Sequence, residues 1–237
     1  MSETLRDGGG EPDGELSSAV VAAPPRANGA RTSTRVERTF EASASPAQFA
    51  RGYLGYVAGL LGAVDEHAIE RVVAALLRAR AEDRAIFLLG NGGSASTAGH
   101  FANDLAVGVR PRGRPFRALS LAENVALMSA IANDYGYDQV FSKQLESRLH
   151  AGDVVIAISA SGDSPNVLRA VRYAKAHGAL TIGLTGGDGG ALRALVDLAV
   201  HVPAERGEYG PIEDVHMVFE HILTNYLRLR LAREDAP

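Results

Sequence analysis

Hydrophobic residues recur every three or four positions between residues 46 and 81, in two separate sets. The first set is Phe49, Tyr53, Tyr56, Leu60 and Leu61, and the second is Ile69, Val72, Val73, Leu76 and Leu77. This spacing places the members of each set on one face of a helix. The pattern therefore predicts two amphipathic helices at the start of the regular part of the chain.

From residue 85 onward the pattern changes to short, continuous apolar runs. The run 85–89 is ended by Gly90, which is typical of a buried parallel strand. Similar runs lie at 118–121, 154–159, 180–184 and 198–202, and helical stretches near 94–107, 123–132, 138–149, 164–177 and 211–232 separate them. Alternating strands and helices predict an α/β fold with helices on both faces of a parallel sheet. We expect a three-layer αβα sandwich with about five central strands, preceded by the two N-terminal helices.

Residues 1–45 differ in composition from the rest of the chain. They contain the run Gly8-Gly9-Gly10, the pair Pro24-Pro25 and a single aromatic residue, Phe40. Such a segment buries too little apolar surface to offset the entropy lost on ordering. Its longest apolar run, 19–23, is too short for a signal peptide and follows acidic residues. We expect a disordered tail over 1–45 and one domain over 46–237.

Composition excludes several classes of protein. The chain has 237 residues, no cysteine, 24 Lys and Arg, and 28 Asp and Glu, for a formal net charge of −4. Without cysteine there are no disulfides, thiolate metal sites or cysteine nucleophiles, which suits a cytoplasmic protein. The charge gives no sign of nucleic-acid binding, and no apolar run approaches the length of a membrane span. We therefore expect neither a nucleic-acid partner nor a membrane.

The first loop of chemical interest is Gly90-Asn91-Gly92-Gly93-Ser94, which leaves a predicted strand and enters a predicted helix. Its glycines let the backbone approach a ligand, and free amides at the helix start attract a phosphate or a polar sugar. A dinucleotide site is disfavoured because no acidic residue ends the next strand, and a nucleotide P-loop because no Gly-Lys-Ser/Thr follows. A purely structural turn stays open.

The second loop follows the strand 154–159 and reads Ser159-Ala160-Ser161-Gly162-Asp163-Ser164-Pro165. Pro165 suits the first helical position and Ser164 the N-cap. Capping does not explain Ser159 and Ser161. Hydroxyls at a helix N-terminus can hold a phosphate without a lysine. Ligands of such sheets bind outside the carboxyl ends of the strands, so the two loops together predict an anion site.

These paired loops resemble the SIS (sugar isomerase) domain. Further motifs are similar to its phosphoheptose isomerase branch: His100-Phe101-Ala102, Asn133-Asp134-Tyr135-Gly136-Tyr137, Leu184-Thr185-Gly186-Gly187-Asp188-Gly189-Gly190, and Ile212-Glu213-Asp214-Val215-His216 through His221. The resemblance covers about residues 46–232. It implies an SIS-type fold and a homotetramer that converts sedoheptulose 7-phosphate, a phosphorylated seven-carbon sugar, into an aldoheptose 7-phosphate, often with zinc.

The resemblance also implies roles for individual residues. The implied substrate-binding residues are Asn91, Gly92, Gly93, Ser94, Asp104, Asn133, Asp134, Ser159, Ala160, Ser161, Ser164 and Glu213. The implied metal ligands are His100, Asp104, Glu213 and His221. Three of these positions depart from the family pattern: Ala160 stands for a threonine, Asp104 for a glutamate and Glu213 for a glutamine. The departures affect the substrate and the metal affinity but not the fold.

Spacing supports the metal ligands only in part. His100 and Asp104 are four residues apart, so they share one helix face. Glu213 and His221 are eight apart, which is a rise of about 12 Å on a straight helix. Either the helix starts after Glu213, or a neighbouring subunit completes a site, or the segment is only an amphipathic helix with a charged face. Two histidines and two carboxylates suit zinc, with iron, manganese or nickel as alternatives.

The remaining histidines are expected to lie outside the site. They are His67, His150, His177, His201 and His216. His216 is five residues from His221, which places it on a different face of the helix.

The implied reaction is an aldose–ketose isomerisation through an enediolate. It needs a carboxylate base and an imidazole acid near the same two carbons. Asp104 is the candidate base and His221 the candidate acid; if both bind an ion, Glu213 is the spare carboxylate. A second hypothesis is a noncatalytic binding protein similar to the DnaA initiator-associating protein, which segments 130–135 and 141–144 resemble.

Overall fold

Five parallel strands form the centre of the molecule. The structure, a computed structural model, describes residues 33–109 and 113–234. Within these ranges the strands are β1 (Ala85–Gly90), β2 (Arg117–Ser120), β3 (Val154–Ser159), β4 (Leu180–Gly186) and β5 (Leu198–Val202). All neighbours are parallel, in the order β2-β1-β3-β4-β5. Each strand lies on one of the apolar runs, so the predicted sheet is confirmed.

Helices precede the sheet and connect its strands. In the described ranges they are α1 (Arg35–Glu41), α2 (Pro46–Leu61), α3 (Glu66–Ala81), α4 (Gly93–Asn103), α5 (Val125–Tyr135), α6 (Ser142–Glu146), α7 (Pro165–Ala176), α8 (Gly190–Leu195) and α9 (Tyr209–Glu234). A π-helical turn at Asp104–Gly108 continues α4, and a 3-10 turn at Tyr137–Gln139 precedes α6. The two predicted N-terminal helices correspond to α2 and α3. None of the described helices combines the length and apolar character that a membrane span requires.

Both faces of the sheet are buried. One core contains Ile86 and Leu88 of β1 with Leu76 of α3, Phe101 of α4 and Phe219 of α9. The other contains the alternate β1 residues and apolar side chains from α5, α6, α7 and α8; these residues are Phe87, Leu89, Ile131, Leu145, Val171 and Leu192. Successive side chains of a strand point to opposite faces, which is why a fully buried strand reads as a continuous apolar run. The three-layer αβα sandwich is confirmed.

Two connections differ from the sequence pattern. The pattern does not predict α8, because glycines at 186, 187, 189 and 190 read as loop. Leu192 on α8 is completely buried, so packing against the sheet stabilises this short helix. The predicted helix over 138–149 is instead a 3-10 turn followed by the five-residue α6.

Helix α1 lies inside the segment 1–45 that the sequence predicts to be a disordered tail. A capping box starts it: the Thr34 hydroxyl accepts a hydrogen bond from the amide of Glu37, whose carboxylate accepts one from the amide of Thr34. Arg38 pairs with Glu205, and the amide of Val36 donates to Glu208 at 2.8 Å. The described residues 33–45 are therefore not the disordered tail that the sequence predicts, and residues 1–32 lie outside the described part of the chain.

The strand order places the two loops of interest side by side. The chain runs from β1 outward to β2 and then crosses back to β3 on the other side of β1. Gly90 at the end of β1 is therefore in register with Ile158 of β3. The carboxyl ends of β1 and β3 form the switch point of the sheet, where ligands of this fold class bind.

Candidate active site

The loop after β1 brings α4 close to α9. Helix α4 begins at Gly93, directly beside the carboxylate of Glu213 near the start of α9. A Cβ atom at residue 93 would overlap that carboxylate, so a larger residue there would displace the end of the Glu213 side chain. The Ser94 side chain that follows is buried at the same point.

The loop after β3 presents hydroxyl groups at the start of α7. Ser164 occupies the N-cap position and Pro165 is the first helical residue, as predicted. The Ser164 hydroxyl makes no capping hydrogen bond, so it is available to a ligand. The Ser159 and Ser161 hydroxyls accept hydrogen bonds from the amides of Gly162 and Asp163, at 3.1 and 3.3 Å. These bonds fix the loop and leave hydroxyl protons for donation.

The two loops and the start of α9 enclose a polar cleft of about 210 Å³. Its lining residues are Asn91, Ser94, Ile158, Ser159, Ala160, Ser161, Ser164, Tyr209 and Glu213. Burial raises the pKa of the Glu213 carboxyl, and the nearby charge of Asp214 raises it further. The cleft therefore combines hydroxyl donors, helix N-termini and one carboxylate.

Side-chain amides connect the two loops. Asn91 and Asn166 exchange two hydrogen bonds of 2.9 Å, and the Tyr137 hydroxyl donates to Oδ1 of Asn91 at 2.9 Å. Asn166 is almost fully buried. The loop after β1 is thereby held in one position relative to the loop after β3.

A second polar group lies where α4 packs against α9. One ligand atom each from His100, Asp104, Glu220 and His221 lies within 4.8 Å of the others. Nε2 of His100 is 3.8 Å from Oδ2 of Asp104, and the two imidazole rings are 5.0 Å apart, edge to face. Imidazole nitrogens with carboxylate oxygens form a donor set that suits zinc and other first-row divalent metals.

Glu220 is the most unusual member of this group. Its side chain has no exposed surface, and its Oε2 lies 3.3 Å from Nε2 of His221. Burial, followed by the negative charge of Asp104, raises the pKa of Glu220 to about 7. A buried carboxylate beside two imidazoles and a second carboxylate fits a bound cation.

Comparison with known proteins decides the family. The family model described as SIS domain matches residues 52–186. The phosphoheptose isomerase of Pelobacter propionicus is 38% identical over 160 residues, which cover 68% of this chain and 84% of the relative. The chain belongs to the phosphoheptose isomerases of the SIS domain family.

Solved structures of phosphoheptose isomerases agree with this assignment. The Neisseria gonorrhoeae structure matches with a TM-score of 0.68 and 32% identity, over 76% of this chain and 95% of that one. The Francisella tularensis structure matches with a TM-score of 0.71 and 28% identity, over 77% of this chain and 96% of that one. The SIS-type fold that the sequence resemblance implies is thus confirmed.

The structure divides the implied isomerase residues between three places. The cleft contains Asn91, Ser94, Ser159, Ala160, Ser161, Ser164 and Glu213, and the loop glycines Gly92 and Gly93 border it. Asp104 lies in the histidine–carboxylate group with His100 and His221. Asn133 and Asp134 are exposed near the end of α5, bonded to each other at 2.9 Å, and are not among the cleft's lining residues.

Glu213 does not join the histidine–carboxylate group. Helix α9 runs continuously from Tyr209 to Glu234, so Glu213 and His221 are separated by about 12 Å along its axis. The group contains Glu220 in its place. The signal for Glu220 is a lone carboxylate among the buried positions of α9, where Val215, Phe219 and Leu223 are apolar.

Sequence reasoning missed three other site residues. Asn166 follows Pro165 directly, Tyr137 ends the Asn133–Tyr137 motif, and Tyr209 starts α9. The remaining histidines lie outside the group. His216 is fully buried, its Nε2 is 3.3 Å from the carbonyl oxygen of Thr185, and burial lowers its pKa to about 4.

Proposed function

We propose that this protein is an aldose–ketose isomerase that converts sedoheptulose 7-phosphate into an aldoheptose 7-phosphate through an enediol. The observation that carries the proposal is the pairing of a serine-lined cleft with a histidine–carboxylate group, in a chain that belongs to the phosphoheptose isomerases. A noncatalytic binding role is not favoured, because the relatives compared above are isomerases.

The sugar phosphate binds in the cleft in this proposal. Ser159, Ser161 and Ser164 surround the N-terminus of α7, whose free amides and dipole attract an anion. Ala160 has no hydroxyl to contribute, and its methyl group is buried in a cluster with Leu60 and Ile212. The Glu213 carboxylate lines the cleft and accepts hydrogen bonds from sugar hydroxyls in this proposal.

Proton transfer takes place at the histidine–carboxylate group. Helices α4 and α9 both begin at the cleft and carry the residues of the histidine–carboxylate group further along. A sugar whose phosphate is bound in the cleft therefore extends its carbonyl end along these helices toward the group. Asp104 takes the proton from the carbon next to the carbonyl and returns it to the former carbonyl carbon, while His221 gives a proton to the former carbonyl oxygen and takes the proton of the other enediol hydroxyl. The Asp104 and His221 side chains are 26% and 45% exposed, so a substrate can reach both.

We propose zinc as the ion of this site, held by His100, Asp104 and a further carboxylate; His221 is a fourth ligand only in the state in which it does not carry the transferred proton. When bound, the ion polarises the substrate carbonyl and stabilises negative charge on the enediolate oxygens. An aspartate bound through one oxygen keeps its second oxygen for the proton.

A homotetramer is the proposed assembly. Helices α3 and α9 form a groove of about 560 Å³, with Ile69, Val73, Leu77, Ile222 and Tyr226 among its lining residues. Ile222, Tyr226 and Leu229 are about half exposed, which is an apolar surface that a second copy can cover. Leu60 of α2 is buried within the subunit and is not part of this surface. The lack of cysteine supports a cytoplasmic location.

The test is turnover of sedoheptulose 7-phosphate, followed by NMR, before and after treatment with a chelator. We expect aldoheptose 7-phosphate to form and the chelator to reduce the rate. Absence of turnover with saturating divalent metal would overturn the isomerase proposal and favour the hypothesis of a noncatalytic binding protein. Turnover that is unaffected by complete metal removal would overturn the metal role alone.

A further inference from the structure

Glu208 is a buried carboxylate directly before the first residue of α9. The residue is 4% exposed, and its two carboxylate oxygens have partners on two other helices. Oε1 accepts a hydrogen bond from the main-chain amide of Val36 on α1 at 2.8 Å. Oε2 accepts one from the hydroxyl of Tyr56 on α2. One side chain therefore joins both α1 and α2 to the start of α9.

The Tyr56 hydroxyl is held as a donor to this carboxylate. Burial, followed by the hydrogen bond to Glu208, raises the pKa of the hydroxyl to about 12, so it keeps its proton at neutral pH. The guanidinium of Arg35 on α1 lies over the Tyr56 ring, 5.0 Å from the ring centre. Helix α1 thus contacts both the tyrosine and the carboxylate that the tyrosine binds.

A second hydrogen bond joins α2 to the first turns of α9. The Tyr53 hydroxyl of α2 donates to Oδ2 of Asp214 at 2.6 Å. Asp214 directly follows Glu213, just as Tyr209 directly follows Glu208. Because Tyr209 and Glu213 both line the cleft, each of the two tethered carboxylates is next to a cleft residue.

Of these two tethers, the one at Glu208 constrains the chain more strongly. Asp214 is exposed, so water can replace its tyrosine partner at little cost. Glu208 is buried, and a carboxylate that loses its hydrogen bonds there is strongly unfavourable. Residues 203–208 between β5 and α9 form neither helix nor strand, so side-chain bonds fix the end of this loop.

We propose that Glu208 is a positioning residue of the isomerase: by holding the start of α9 against α1 and α2, it fixes Tyr209 and Glu213 at the cleft. Glu208 is not among the lining residues of the cleft and acts through these two neighbours. The inference rests on the proposed binding of the sugar phosphate in the cleft. It also gives α1 a function, because the amide of Val36 is one of the two groups that hold Glu208 in place.

The test separates substrate binding from turnover in full-length variants. Glu208→Ala removes both hydrogen bonds, whereas Glu208→Gln keeps them, because its carbonyl accepts from the amide of Val36 and its NH₂ donates to the hydroxyl oxygen of Tyr56. We expect Glu208→Ala to raise KM for sedoheptulose 7-phosphate about tenfold. Its kcat should stay within about threefold of wild type, since the proton-transfer residues lie elsewhere, where α4 packs against α9. Glu208→Gln should stay within about threefold of wild type in both constants.

Arg38→Ala is the matched control. Arg38 also joins α1 to the loop before α9, but its ion pair with Glu205 is exposed and does not include Glu208. We expect its KM to stay within about twofold of wild type. Tyr56→Phe removes one of the two bonds to Glu208 and should raise KM about threefold. Added to Glu208→Ala, it should change KM by less than about twofold, because both substitutions break the same bond.

Amide hydrogen exchange supplies a readout that needs no turnover. Residues 35–41 and 205–214 should exchange at least about tenfold faster in Glu208→Ala than in wild type, with the exchange of β1 unchanged. If Glu208→Ala fails to fold, Tyr56→Phe and Glu208→Gln decide. The inference is overturned by a wild-type KM in Glu208→Ala, by a lower melting temperature and kcat without a change in KM, or by a Glu208→Gln variant as impaired as Glu208→Ala.

The outcome is distinguishable from that of the proposed function. If wild type shows no turnover, the isomerase fails, and calorimetric titration with sedoheptulose 7-phosphate replaces KM in the same comparison. Weaker binding by Glu208→Ala than by wild type and Glu208→Gln would then leave the positioning role standing. Wild type that does not bind the sugar phosphate at all would overturn both.

Discussion

Asn91 and Asn166 form a reciprocal amide pair that joins the loop after β1 to the loop after β3. Each residue donates one hydrogen bond of 2.9 Å and accepts one, and Oδ1 of Asn166 also accepts from the amide of Val167. The pair lies at the switch point of the sheet, beneath the cleft where the phosphate is proposed to bind. Its function is to fix the distance between the two binding loops.

Replacing Asn166 with alanine should therefore impair binding more than the loss of one surface contact would. The change leaves both polar groups of Asn91 without this partner, at a cost of about 1–3 kcal/mol. We expect KM for the phosphosugar to rise about tenfold, together with a lower melting temperature. Tyr137→Phe removes only the third bond to Asn91 and should show a smaller effect. Equal steady-state kinetics for Asn166→Ala and the distant surface variant Ser129→Ala would contradict this role.

The loop after β3 is tested by Ser161→Ala. Ser161 borders the cleft near the start of α7, and its hydroxyl is proposed to bind the sugar phosphate. Loss of one hydrogen bond to a charged group should weaken binding by roughly 1–2 kcal/mol. Calorimetric titration with the phosphorylated sugar measures this, and the unphosphorylated sugar serves as control. An unchanged affinity for the phosphorylated ligand would exclude Ser161 from the phosphate site.

Most of the fold is predictable from local sequence pattern. The runs Ala85–Gly90 and Val154–Ser159 specify central parallel strands, because every position in them is buried. Helix α8 is not predictable in this way, since it depends on Leu192 finding a place against the sheet. Helix α1 begins with a capping box at Thr34 and Glu37 that can be recognised in the sequence. The low apolar content of residues 1–45 nevertheless favours the prediction of disorder there.

The site is predictable where residues are close in sequence and less so where packing brings them together. His100 and Asp104 share a helix face by spacing alone. The choice between Glu213 and Glu220 depends on which part of α9 faces α4, and an eight-residue interval cannot indicate that. The pairing of Asn91 with Asn166 likewise requires β1 and β3 to be neighbours in the sheet.

Asp104→Asn tests the proposed base. The substitution preserves size and shape but removes the charge and most of the basicity of the side chain. We expect turnover to fall at least about 100-fold, the contribution of one general base, with an unchanged circular dichroism spectrum. Asp104→Glu keeps the carboxylate and should retain activity or increase it. Turnover of Asp104→Asn at the parent rate would mean that Asp104 is neither a base nor an essential ligand.

The buried imidazole of His216 predicts how the unfolding free energy depends on pH, and this can be tested without an activity assay. This side chain is fully buried, and burial lowers its pKa to about 4 from an ordinary value of 6.5. Above pH 6.5 the imidazole is neutral in the folded and unfolded chain, so it adds no pH dependence. As the pH falls from 6.5 toward 4, the unfolded chain binds the proton first, and the folded state loses stability.

Between pH 7 and pH 5 this difference amounts to about 2 kcal/mol of unfolding free energy, since one unit of pKa corresponds to about 1.4 kcal/mol. Urea unfolding of wild type and His216→Gln at both pH values measures it, because carboxylates common to the two proteins cancel in the comparison. We expect wild type to lose about 2 kcal/mol more than His216→Gln on acidification. Equal losses in both proteins would show that His216 is protonated as readily in the folded chain as in the unfolded one.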